Sequence, residues 1–131
     1  MIKLNLTCFL TFLACTHAGM AQTSSVDTLL TGTWKGSSIC QIKNSPCHDE
    51  TVVYRISKKT GSDTFYNNAS KIVNGVEEEM GILPFTYNKK ENQFVSNAYG
   101  TWTFNVEAGK LEGTLFVRGE LYRKVKVYKQ Y

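Results

Sequence analysis

The stretch "CQIKNSPCHDE", Cys40 to Glu50, is where this sequence comes nearest to metal or redox chemistry. Cys40, Cys47 and His48 make a three-ligand set that suits a tetrahedral zinc ion, with Asp49 and Glu50 beside it. The spacing is not one of the strong zinc patterns, however. In an oxidising compartment the two thiols pair instead and close a ring around "QIKNSP". The chain-entropy account gives such a short ring about 2–3 kcal/mol of stabilisation. The reading adopted is a Cys40–Cys47 disulfide and no metal site. A second cluster, Glu77 to Glu79, offers carboxylates for acid–base work. On a strand, Glu77 and Glu79 share one face, while Glu78 points with Val76 and Met80. A carboxylate run beside a turn reads as a solvated surface. The sequence contains no Gly-x-Ser-x-Gly elbow, no phosphate-cradling glycine loop and no HExxH helix. Catalytic residues and cofactors are therefore assigned as none, and the chain is read as not an enzyme.

Compartment follows from the N-terminus. Residues 1–21, "MIKLNLTCFLTFLACTHAGMA", carry one charge at Lys3, an apolar run from Leu4 to Ala14, and small residues at Gly19 and Ala21. That is the layout of a secretory signal peptide cleaved ahead of Gln22, and the apolar run is short for a membrane span. A second reading is lipid attachment at Cys15, after Leu13-Ala14. The expected destination is periplasmic or secreted, with no membrane span once the signal is removed. Cys8 and Cys15 leave with the signal, so Cys40 and Cys47 are the cysteines that remain. Removing Lys3 from the 15 basic residues leaves 14 against 11 acids, a net charge of +3. The basic residues are spread along the chain without stacking aromatics between them, which argues against nucleic acid as a partner.

From Thr31 onward the sequence consists of short alternating runs. In "TWTFNVE", Trp102, Phe104 and Val106 share one face; in "TVVYRIS", Val52, Tyr54 and Ile56 do so; in "KLEGTLFV", Leu111, Leu115 and Val117. Period-two alternation is the pattern of a half-buried strand. Asn74-Gly75 is a strong hairpin signal, and "NKKEN", "AYG", "EAGK" and "RGE" mark other reversals. Strands are predicted near 31–40, 50–59, 63–73, 76–87, 92–97, 101–107, 111–118 and 121–130. Pro84 lies inside one of them, where an edge, bulge or break is expected. "SSVDTLL" is long enough for one helical turn capped by Ser25 or Asp27. The domain layout is a signal peptide over 1–21, a flexible segment over 22–30 and a β domain over 31–131. Eight short strands joined by tight turns predict an all-β, antiparallel up-and-down meander closed into a small barrel.

In that architecture the opening "GTW", Gly32 to Trp34, takes on meaning. A Gly-x-Trp on the first strand of a small exported eight-stranded barrel resembles the lipocalins and their calycin relatives. The resemblance implies that Trp34 closes one end and packs against an arginine of the last strand. Arg123 stands on the apolar side of "LYRKVKVYK" with Leu121, Val125 and Val127, and Gly32 would leave room for close chain crossing. The "GTWK" opening is also similar to that of intracellular fatty-acid-binding proteins, but their helical lid is missing. A second "GTW", Gly100 to Trp102, has unrelated flanks and is read as coincidence.

The resemblance implies a barrel that binds a small apolar or amphipathic molecule, with Tyr54, Phe94, Trp102, Phe104 and Leu115 as candidate lumen residues. Small exported inhibitors of bacterial metalloproteases also resemble this chain in size and barrel type. On that alternative, Gln22 to Leu30 would enter a protease cleft. A filled structural barrel is the third reading. The intact mass of the exported protein in non-reducing buffer is expected to begin at Gln22 and to fall two hydrogens below the reduced value.

Overall fold

The computed structural model describes residues 25–131. The expected signal peptide, with Cys8 and Cys15, and residues 22–24 lie outside the described residues. A short helix α1 (Val26–Leu30) precedes eight strands: β1 (Gly32–Cys40), β2 (Glu50–Lys58), β3 (Thr64–Val73), β4 (Val76–Asn88), β5 (Gln93–Ser96), β6 (Thr101–Glu107), β7 (Lys110–Val117) and β8 (Glu120–Lys129). Each predicted strand is found, with its ends within one residue of the sequence reading. All neighbours are antiparallel and follow chain order, and β8 returns to β1 to close the barrel. No helix among the described residues is long and apolar enough to cross a membrane.

Turn chemistry sets the meander. Asn74 and Gly75 both adopt positive φ, 51° and 77°, in the two-residue connection from β3 to β4. Mirror-image turns of this kind match the right-handed twist of the strands they join. Closure depends on close backbone approach. A Cβ on Gly36 would overlap the Lys126 carbonyl of β8, and one on Gly113 would overlap the Thr103 carbonyl of β6.

The odd-numbered strands run from one mouth of the barrel to the other, and the mouth where β1 begins is plugged. Ser25 caps α1, its side chain accepting from the Thr28 amide. Leu30 and Trp34 are fully buried, and the Trp34 indole donates to the Leu30 carbonyl at 2.9 Å. Lys129 of β8 donates to the Thr28 and Leu29 carbonyls at 2.7 and 3.3 Å, and its ammonium lies 5.6 Å from the Trp34 ring centroid. A cation at a helix C-terminus and over an aromatic face is favourable on both counts. Lys58 of β2 ties the helix down again through Asp27, at 2.8 Å.

Three expectations are corrected at this mouth. The segment expected to be flexible is, from Ser25 onward, the folded plug of the barrel. The cation over Trp34 is Lys129, not Arg123. The β1–β8 register places Trp34 opposite Lys129 and Arg123 opposite Cys40, which separates Trp34 from Arg123 by roughly 20 Å along the strand. Gly32 is needed less for a backbone crossing than for its φ of 129° and the Lys129 side chain lying against it.

Above the plug the interior is solid. Phe65, Phe85, Phe94 and Phe104 are all buried; Phe85 stacks on Phe94 at 4.5 Å, and Phe65 meets Phe94 edge-on at 5.5 Å. One wall is incomplete. β4 pairs with β3 from Val76 to Thr86 but with β5 only at Thr86, Tyr87 and Asn88. From Val76 to Phe85 it therefore has a strand neighbour on one side only. Pro84 sits in that stretch, as its missing N–H requires, and a bulge opposite Ala69 and Ser70 leaves Met80 without a partner. The bulge also defeats simple alternation, and Glu77, Glu78 and Glu79 are all exposed.

Because Leu30 belongs to the core, Leu30→Ala is expected to cost about 2–5 kcal/mol in urea denaturation. A flexible leader would give a change close to zero.

Candidate functional site

The unplugged mouth leads into a cavity of about 360 Å³. It lies at the ends of β1, β2 and β8 nearest the disulfide, and it reaches sideways to the stretch of β4 that lacks a second neighbour. Val52, Ala69, Leu83, Trp102 and Leu115 supply apolar wall, and Met80 and Ile82 form the exposed rim on β4. Polar groups enter from one side: Ser38, Glu50, Tyr54, Asn67 and Arg123.

Three of the five predicted lumen residues, Tyr54, Trp102 and Leu115, line this cavity. Phe94 and Phe104 do not. They point inward as alternation requires, but they sit in the packed phenylalanine cluster, none of whose members lines the cavity. Trp102 bridges the two zones, stacked on Phe104 at 6.3 Å. The two "GTW" triplets are also more alike than their flanks suggest. Gly32 and Gly100 have φ of 129° and 128°, and each tryptophan donates to the carbonyl four residues before it, Leu30 and Ala98. One triplet closes the plugged mouth and the other stands at the open one.

Arg123 belongs to the open mouth. Its Nη1 donates to the His48 carbonyl at 2.9 Å and to the Ser38 carbonyl and hydroxyl at 3.3 Å, and it lies 3.6 Å from a Glu50 carboxylate oxygen. The Cys40–Cys47 disulfide is present, with Cα atoms 5.9 Å apart. Together with Asp49, which accepts from the Cys40 amide at 2.9 Å, it folds the loop so that the His48 carbonyl reaches Arg123. The residues read as a possible ligand set for a metal are therefore a stapled loop that fixes the guanidinium. Arg123 and Glu50 largely cancel each other's charge at the cavity wall.

Tyr54 is buried among these groups. Desolvation pushes its phenol well above the usual range; Arg123 pulls against that shift, and Glu50 adds to it. The hydroxyl is thus a protonated donor throughout the neutral range. Asn67 is 2 % exposed, and its Oδ1 is buried with no hydrogen-bond partner among the described residues. The sequence carried a signal for it, since Phe65, Asn67 and Ala69 alternate onto the inner face of β3. Ser38 and Glu50 carried the same signal, Ser38 in phase with Trp34 on β1 and Glu50 in phase with Val52 and Tyr54 on β2.

No protein-family model, no curated protein and no solved structure matches this chain. Its function has to be argued from the site itself.

Tyr54 makes stability pH-dependent with a definite sign. A phenol whose pKa is raised by folding leaves stability intact below the unfolded value, about pH 10. Stability is then lost as the pH climbs toward the folded value, because the unfolded chain releases the proton first. Alkaline denaturation followed by circular dichroism is expected to be shallower for Tyr54→Phe than for the parent.

Proposed function

We propose that this chain is an exported, non-catalytic, lipocalin-like barrel that holds a small amphipathic molecule in the cavity at its open mouth. The observation that carries the reading is the contrast between the two ends. One is sealed by Leu30, Trp34 and Lys129, while the other retains about 360 Å³ of space walled by Val52, Ala69, Leu83, Trp102 and Leu115. A cavity near 300–1,000 Å³ with apolar walls and a few fixed polar groups is the usual form of a small-molecule site. The eight-stranded closed topology, the Gly-x-Trp opening and the plugged first-strand mouth support the lipocalin likeness. The disulfide and the N-terminal sequence support export.

The test is uptake of Nile red, a neutral apolar fluorophore, by the purified protein, together with native mass spectrometry of protein taken from its own host. Leu83→Trp, which adds bulk from the side where β4 is least constrained, is expected to weaken Nile red binding by about tenfold, equivalent to about 1.4 kcal/mol. Its far-ultraviolet dichroism should stay unchanged. An empty protein that leaves the dye dark would end this reading.

A further inference from the structure

We infer that the occupant of the open-mouth cavity carries an uncharged hydroxyl or amide end, which hydrogen-bonds to Asn67 and Tyr54. The inference rests on the binding proposed above and adds the chemistry of the ligand's polar end. Its first support is Asn67. A buried acceptor without a partner is rare in a folded protein. Asn67 lines the cavity, and its buried Oδ1, like that of Asn68 on the other face of β3, has no hydrogen-bond partner among the described residues. A donor on the ligand would satisfy it. Turned over, the same amide would present N–H and call for an acceptor. A hydroxyl or a primary amide serves either orientation, because each can both donate and accept.

Tyr54 supplies the complementary group. In the β2–β3 ladder Tyr54 stands opposite Ala69, and Asn67 is the next inward residue along β3. The two are diagonal cross-strand neighbours, roughly 7–8 Å apart, a span that one small polar group can bridge. Tyr54 keeps its proton and donates, while Asn67 accepts.

The charges in the wall argue against an ionised ligand end. Arg123 would attract a carboxylate, but its Nη1 already serves His48 and Ser38, and Glu50 lies 3.6 Å away. A ligand carboxylate would meet Glu50 as well as Arg123, and a ligand ammonium would meet Arg123. A charge taken out of water needs a partner of its own; Arg123 keeps its Nε and Nη2 donors, but its charge is already balanced by Glu50.

The experiment is displacement of Nile red by four ligands with the same ten-carbon chain: 1-decanol, decanamide, decanoate and decyltrimethylammonium. Decanol and decanamide are expected to compete at about tenfold lower concentration than either ion, the difference made by one net hydrogen bond to a buried group. Asn67→Leu is expected to abolish that preference. Tyr54→Phe, which keeps the shape of the site, is expected to reduce it should the leucine variant fold poorly. Decanoate or decyltrimethylammonium binding tightest, or a preference unchanged in both variants, would overturn the inference while leaving the cavity a binding site. Failure of the parent protein to take up Nile red would instead remove the binding reading on which it rests.

Discussion

The ladder that joins β1 to β8 runs from Trp34 opposite Lys129 to Cys40 opposite Arg123, and it forms because Gly36 has no side chain to hold the two backbones apart. Closing an eight-stranded sheet fixes the interior at a width that side chains can fill. Once the register is set, so is the job of every inward residue on the last strand. Lys129 arrives at the helix and the indole, Val125 and Val127 enter the core, and Arg123 arrives at the opposite mouth beside the disulfide. A shift of one residue would turn all of them outward.

From that register the molecule divides along its axis. Aromatic volume is concentrated below, where the phenylalanine cluster and Trp34 leave no room. Smaller residues such as Ser38, Ala69 and Val52 stand above and leave the cavity. The guanidinium of Arg123 would be a costly guest in an apolar lumen. It is tolerated because Glu50 balances its charge and two backbone carbonyls accept its hydrogen bonds, one of them held in place by the short disulfide ring. Electrostatics and covalent staple thus act on the same few ångströms of the rim.

The architecture was legible because period-two alternation and Gly- or Asn-bearing turns are local signals, and here they agree with the tertiary outcome at every strand but β4, where the bulge at Met80 breaks the alternation. The partner of Trp34 was not. Arg123, Val125, Val127 and Lys129 all fall on the same face of β8, so alternation alone cannot say which of them meets the first strand's tryptophan. Register decides, and register is a property of two strands together. Phe94 and Phe104 show the same limit. Their inward direction could be read, but their depth depends on which mouth is sealed. The plug itself rests on a five-residue helix too short to announce itself by periodicity. Asn67 was readable from its neighbours Phe65 and Ala69, though its missing hydrogen bond belongs to the assembled barrel.

Closure is often described as the way a β-protein rids itself of sheet margins, yet here the short β5 leaves Val76 to Phe85 with hydrogen-bonding groups turned toward solvent. A bare margin of that length invites another chain to add itself as a further strand, the first step of non-native association. The residues along it are suited to prevent this. Glu78 and Glu79 give every copy the same negative charge at that place, beside a Glu77 paired with Arg55 at 2.9 Å, while Pro84 withholds a donor and the bulge at Met80 spoils the flat geometry a docking strand needs. Charge, proline and bulge are the features by which sheet margins generally resist such pairing.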